Sequence, residues 1–502
     1  MSNRKKLIDN TFFYGLSSYL EYFLGLVITT IIARSLGAEQ YGVYSFVLWL
    51  SAFGVALLSD GLGITAIRFL AEQRGSGREA AVRPLVRHLL RLLILATIPV
   101  ILLLIAVYAV TADEQMRGYY WLGLFVVAAF VPKAINLFYV NVAKGIEEYS
   151  TQFHINLLVN PFNLVAVTTV ALLGGGVVEF VFAYLLVSLV YAIVSWKLVS
   201  ARLRDYPEGG GFQEQDEAAK VRRSVKLMTL ALFLGFIVEK QLEVFVLNYY
   251  GMPLDAGLYN AGFILGVSAM GLVPGVLSGI ILPVMARAGA TGMDAQAEKY
   301  REFSRYLVLL AVPLVCYGVA LSREIIELVF GSEFSRSAVA FAVVLVASGV
   351  TVVVYSANSV LMTRDMQDKV LRGVAIGAVI NIVIDFIAIP RYGMWGALAG
   401  FVITLLFISS YNTRLASRRL DTSLEWLYYL KVLLVGVIAA VPFVLVKTAF
   451  PAVVSIFVGG SIYIALFLVG LWLSGLLREQ DRAVLHLLSR RIPGIKRVVM
   501  TS

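Results

Sequence analysis

The sequence predicts an all-α polytopic membrane protein with about fourteen transmembrane helices, and three observations predict it. Hydrophobic residues fill 59% of the 502 positions and charged ones only 15%, whereas soluble domains are usually about 45–50% apolar; the mean hydropathy is +0.83. Apolar runs of some 20 residues recur along the chain, the length that crosses a hydrocarbon core of roughly 30 Å at about 1.5 Å per residue. Cations alternate with those runs: 33 of the 42 Lys and Arg fall in one set of connections, 6 in the other and 3 within runs.

The runs lie at about 11–33, 42–66, 86–110, 118–143, 151–173, 177–199, 226–249, 258–285, 304–320, 337–361, 370–389, 394–414, 428–448 and 453–476. Arg4, Lys5 and Lys6 precede the first run, which is too long for a signal-peptide apolar region of about 7–15 residues and reads as an uncleaved helix. The first connection, around Arg34, Gly37, Glu39 and Gly42, reads as a tight turn. The cation asymmetry places the N-terminus, the basic tail and the Arg-rich connections in the cytoplasm of a cytoplasmic (inner) membrane protein. The net charge of +10 then suits anionic lipid headgroups of the bilayer and excludes nucleic acid as the expected partner.

The chain repeats itself. Gly42-Val43-Tyr44-Ser45 returns as Gly257-Leu258-Tyr259-Asn260, and Arg87, Arg91 and Pro99 return as Arg301, Arg305 and Pro313. Asn141, Asn163 and Gly175 return as Asn358, Asn381 and Gly393, at a nearly constant offset. Two six-span copies with an even number of spans face the same way, related by an axis along the membrane normal. The expected organisation is a six-helix lobe at 1–204, a cytoplasmic linker at 205–224, a second lobe at 225–420, two additional helices at 421–477 and a basic tail at 478–502. Such lobes commonly bind cargo near the midplane.

Charges inside a bilayer cost about 2.5–3.5 kcal/mol on insertion scales, so deep polar residues mark partners or wet cavities. Glu239, Lys240 and Glu243 share the seventh span, with Glu239 and Glu243 one helical turn apart; a buried Glu–Lys pair and cavity lining both remain open. Glu21 is alone midway through the first span. Lys133 and Asn136 share a face of the fourth, with Lys133 also long enough to snorkel. Asn156, Asn160 and Asn163 form a stripe on the fifth, which interhelical bonding explains as readily as cargo contact. Asn358 completes the set of cavity candidates. Asp385, about one turn from the end of its span, is expected to be solvated. Pro274 and Gly275 mark a hinge in the glycine-rich eighth span.

Enzymatic chemistry is not expected. His88, His154 and His486 lie far apart without metal-ligand spacing, Cys316 is alone, and no nucleotide-binding loop occurs, so no metal or cofactor is anticipated. A driving force must then come from a gradient, of H+ or Na+ or of the cargo, or from another protein.

The stretch from Ala33 through Arg34, Gly37, Glu39, Tyr41 and Gly42, with Asp60-Gly61-Leu62-Gly63 and Arg68-Phe69-Leu70-Ala71-Glu72, resembles the polysaccharide exporter and O-antigen flippase family, a branch of the superfamily that also holds multidrug extruders and the peptidoglycan-precursor flippase. The resemblance is densest over the first 75 residues or so. It implies two bundles in a V shape that carry a polyprenyl-diphosphate-linked oligosaccharide across the cytoplasmic membrane by alternating access for surface polysaccharide biosynthesis, alongside a glycan polymerase or glycosyltransferases. The deep charges depart from an arginine-rich cavity, since Glu21, Lys133, Glu239, Lys240 and Glu243 sum to minus one; Arg34 and Arg68 stand at the rims as phosphate candidates. An ion-coupled multidrug antiporter and a non-transporting scaffold of a glycan-assembly complex are the rival readings.

Overall fold

The computed structural model describes residues 2–111, 120–207, 215–239, 241–446 and 451–477. Among them the chain is helical throughout, with no strand. In chain order the helices are α1 (Ser2–Val55), α2 (Gly61–Gly75), α3 (Val82–Thr111), α4 (Tyr120–Gly145), α5 (Tyr149–Leu172), α6 (Val177–Leu203), α7 (Gln215–Glu239), α8 (Leu242–Tyr249), α9 (Pro253–Thr291), α10 (Met293–Ala320), α11 (Ser322–Phe330), α12 (Ser337–Thr351), α13 (Val354–Thr363), α14 (Gln367–Tyr392), α15 (Met394–Arg419), α16 (Trp426–Val446) and α17 (Ala452–Leu473). Ten stretches of the described residues are long and apolar enough to cross a membrane, or eleven when the pair α12–α13, bent by 42°, is one span.

The stretch from Phe23 to Gly75, 53 residues long, is about 80 Å of helix at 1.5 Å per residue, more than twice the hydrocarbon thickness. It therefore holds the second half of the first expected span and the whole of the second, and α1 breaks between them at Gly37, whose φ of 74° and ψ of 171° leave the helical region. Glycine is needed there twice over: the left-handed φ disfavours a side chain, and an added Cβ would stand 2.8 Å from Glu333 Oε1. A single π turn, Ala56–Asp60, then joins α1 to α2.

Two expected spans are not continuous helices. The seventh breaks between α7 and α8, where Gln241 takes a left-handed φ of 58°. The tenth bends between α12 and α13 at Thr351-Val352-Val353, three β-branched residues that fit poorly into a helix. Elsewhere the backbone keeps step with the sequence repeat: left-handed residues occur at Gly37 and Gly251, Gly77 and Gly292, Glu147 and Asp365, and Gly174 and Gly393.

By internal packing the chain forms two compact units. One comprises Met1–Leu265, Val329–Ala340 and Asp368–Ile408; the other comprises Gly266–Leu328, Phe341–Gln367 and Ser409–Ser502. In the first unit the start of α9 lies backbone to backbone on the second half of α1: a Cβ at Gly42 would fall 1.8 Å from the Pro253 carbonyl oxygen, and one at Gly257 would fall 1.9 Å from that of Ala38. Asn260 Nδ2 donates to Ser45 Oγ at 2.6 Å and Tyr41 Oη at 3.1 Å across this seam. In the second unit α16 and α17 pack on α10 through Tyr317, which stacks on Tyr463 at 4.8 Å and donates to the Ser455 carbonyl. Gly436 sits against Val312 and Cys316.

Candidate functional site

Two polar constellations interrupt the apolar interior of the first unit. The first is built on α4, α5 and α6. Lys133 places its ammonium 4.9 Å from the centroid of the Tyr191 ring, a cation–π geometry worth about 0.5–2 kcal/mol. Tyr191 in turn donates its hydroxyl to Asn160 Oδ1 at 2.5 Å. The surrounding wall is Val140, Ile155, Val159 and Val187, all buried. Asn160 is 4% exposed, and its Nδ2 donor finds no acceptor among the described residues; Asn136, one turn beyond Lys133, is 8% exposed with its Oδ1 in the same condition. A cation, an unused amide donor and an unused amide acceptor thus sit on adjacent helices. Burying such groups without partners costs of order 1–3 kcal/mol each, and a hydroxyl-rich or anionic ligand would supply the partners. Asn163 is only partly buried, and Asn156 is buried beside the constellation on the same helix.

The second constellation is acidic. Glu243 in the first turn of α8 is 2% exposed and accepts a hydrogen bond from Asn381 Nδ2 of α14 at 3.0 Å. Asp385, one turn along α14 from Asn381, is fully buried, with neither carboxylate oxygen bonded among the described residues. Glu243 is the acid that acts on it electrostatically, and Tyr259 is buried beside the pair with its hydroxyl unbonded among the described residues. The α15 backbone closes the far side at Gly400, where a Cβ would stand 2.0 Å from Asp385 Oδ1. Two buried carboxylates with no cation beside them, one of them with both oxygens unbonded among the described residues, call for neutralisation. A monovalent cation or protons would provide it.

This corrects two sequence expectations. Asp385 is not solvated near a helix end, because α14 continues to Tyr392 and Gly400 lets α15 cover the carboxylate. Glu239 and Glu243 are not one turn apart on a single helix, because the chain reverses its backbone twist at Gln241 between them. Lys240 lies outside the described residues, as do the side chains of Glu21 and Glu239.

The remaining candidates are dispersed. Asn358 on α13 accepts from Asn412 Nδ2 of α15 at 3.0 Å, inside the second unit. Arg34 directs its Nε to the Val329 carbonyl at 2.9 Å, and exposed Arg68 lies over the Phe69 ring at 5.4 Å. Pro274 is buried within α9 beside exposed Gly275. Asp385, Tyr259 and Tyr191 are the residues that spacing alone does not single out as a site; a carboxylate seven positions before a helix end and two tyrosines in apolar runs carry no distinctive local signal.

Residues 7–288 match the family described as polysaccharide biosynthesis protein. No curated protein sequence matches the chain. Among solved structures, the lipid II flippase MurJ in an inward closed conformation superposes with a TM-score of 0.71 at 11% identity, covering 93% of this chain and 99% of that one. An inward-facing multidrug resistance MATE family transporter of the MOP superfamily gives 0.61 at 15% identity, covering 80% and 94%. A point mutant of the Vibrio cholerae MATE transporter VcmN gives 0.55 at 15% identity, covering 83% and 97%. At these identities the likeness is one of fold.

Proposed function

Because the chain belongs to the polysaccharide biosynthesis protein family, we propose that it is a flippase that moves a polyprenyl-diphosphate-linked oligosaccharide across the cytoplasmic membrane by alternating access. The observation that carries this reading is the Lys133–Tyr191–Asn160 constellation, a cationic and amide-bearing site walled by apolar side chains. Its chemistry suits an anionic, hydroxyl-rich headgroup, and a polyprenyl tail can stay in lipid while the headgroup passes. A cationic drug would meet the wrong sign of charge there.

Glu243 and Asp385 serve the driving force in this reading. Their buried carboxylates bind H+ or Na+ and release it on the other side, so that the ion gradient biases the cycle; the cargo never touches them. Coupling requires only that the two conformations differ in affinity for the ion.

The test is a deletion strain in which lipid-linked intermediates, surface polysaccharide and dye efflux are measured together. The expected result is complete, unpolymerised repeat units retained on the cytoplasmic face, no surface glycan and unchanged efflux. Normal surface glycan with reduced efflux would establish the antiporter reading instead. Purified protein that moves no lipid-linked sugar in vesicles, while the deletion still abolishes surface glycan, would establish a scaffold.

A further inference from the structure

Outside both constellations, one surface of the first unit concentrates unneutralised positive charge. Arg87 and Arg91 are exposed on α3, one turn apart, and Arg222 and Lys226 are exposed on α7, also one turn apart. The two helices flank α2. Ser224 of α7 shares a hydrogen bond with Thr65 of α2 at 3.3 Å, Gly61 of α2 leaves room for Thr229 of α7, and α3 packs on α2 as well.

His88 of α3 feels positive charge from Arg222 of α7 as well as from Arg91 of its own helix, so cations of the two helices act at one locality. Among the described residues no carboxylate pairs with Arg87, Arg91 or Arg222. The acid closest to them in the α7 sequence, Glu217, is engaged by Arg78 at 2.7 Å. A set of guanidinium groups held this way is stable when an anion from outside the protein sits among them.

The same face of α3 says what kind of anion. Leu95, Ile98 and Leu102 follow Arg87 and Arg91 at helical spacing and are 71%, 67% and 62% exposed, so the stripe passes from guanidinium to bare hydrocarbon within two turns. That pattern fits an amphiphile with a phosphate head and chains lying along the helix.

We propose that the α3–α7 surface centred on Arg87, Arg91 and Arg222 is a binding site for an anionic phospholipid headgroup of the surrounding bilayer. The phosphate sits between the two helices over α2, and the acyl chains follow Leu95 and Ile98. Because α7 leads directly into α8 and Glu243, a lipid held here braces the helix that precedes the acidic constellation.

The test uses the full-length purified protein in a neutral detergent, titrated with diphosphatidylglycerol, phosphatidylglycerol, phosphatidylcholine or a polyprenyl diphosphate and followed by native mass spectrometry. The wild type should retain the anionic lipids in preference to phosphatidylcholine. The triple variant R87Q/R91Q/R222Q should lose roughly a hundredfold in that preference, three cations at about a factor of five each. The variant R414Q/R418Q/R419Q, which removes three exposed cations elsewhere, should keep it. If the triple variant is not monodisperse, R222Q alone should lose about fivefold. Equal loss in both triple variants, or none in either, overturns the site. Tight retention of a polyprenyl diphosphate with no retention of anionic phospholipid overturns the stated occupant in favour of the cargo lipid.

Discussion

Gly42 and Gly257 occupy equivalent places in the two sequence copies and each presses its α-carbon on the other copy's backbone: Gly42 on the Pro253 carbonyl, Gly257 on that of Ala38. Ala38 and Pro253 are themselves separated by the same offset, so the contact is reciprocal. A local two-fold relation follows for these helix segments, and no side chain can intervene at its centre. Gly42→Ala or Gly257→Ala therefore forces the segments apart, since a backbone carbonyl cannot rotate away as a side-chain tip can. Each should destabilise by about 1–3 kcal/mol, the usual overpacking cost, seen as a lower melting temperature of the purified protein. Gly271→Ala, where an added Cβ meets nothing within 4 Å, should leave it unchanged.

The acidic constellation predicts a separation of transport from stability. Neither oxygen of Asp385 has a hydrogen-bond partner to lose among the described residues, so Asp385→Asn should leave membrane abundance near wild type and abolish ion-dependent movement of lipid-linked substrate in vesicles. Glu243→Gln should act likewise, although its bond to Asn381 at 3.0 Å makes a modest stability change of about 0.5–1.5 kcal/mol reasonable. Gly400→Val should reproduce the transport defect by displacing the Asp385 carboxylate. Undiminished gradient-driven transport in Asp385→Asn would remove the coupling role.

Tyr191→Phe deletes the hydroxyl that Asn160 Oδ1 accepts while leaving the ring under Lys133. A loss of about 0.5–1.5 kcal/mol in thermal stability is expected from the missing bond. Lys133→Met goes further, removing the cation that the proposed headgroup would meet. Transport should fall in Lys133→Met and recover in part in Lys133→Arg, which preserves the charge above the ring. Equal transport in all three variants would show that the constellation is purely structural.

Features of this chain are legible in its sequence where their signal is local. Helical spans follow from apolar run length, and the expected runs fall on α1 to α17 with boundaries shifted by a few residues or extending beyond the described residues. Lys133 and Asn160 stand out because charge and amide groups are expensive in apolar runs. Their common partner Tyr191 does not, since a tyrosine in such a run is ordinarily an interfacial residue and only the three-helix packing brings it between them. Asp385 misleads for a similar reason: its distance from a helix end is visible, but not the effect of the glycine 15 positions later that lets another helix bury it. Gln241 shows a third limit. Glutamine carries no breaking tendency, so the left-handed turn that separates α7 from α8 has no local signal in the sequence.

That turn makes its own prediction. A non-glycine residue held at φ 58° carries a conformational cost of order 1–3 kcal/mol. Gln241→Gly should relieve part of it and raise the melting temperature, provided the Gln241 side chain contributes less than the strain. Gln241→Val, β-branched and poorly tolerated at positive φ, should lower it. Opposite signs for the two variants would match a turn that the native state requires, and a lower melting temperature in both would assign the stabilisation to the glutamine side chain.

Orientation is testable at two exposed serines at opposite ends of the charge pattern. Ser76 lies between α2 and α3, flanked by Arg74 and Arg78, and Ser332 lies between α11 and α12. The excess of Lys and Arg on the Ser76 side predicts that it faces the cytoplasm. Cys316 is buried and is replaced by Ala to leave a background without thiols. In intact cells an impermeant thiol reagent should then label Ser332→Cys and spare Ser76→Cys until the membrane is opened. Labelling of Ser76→Cys from outside, with Ser332→Cys protected, would invert the topology, and with it the side from which the α3–α7 surface draws its lipid.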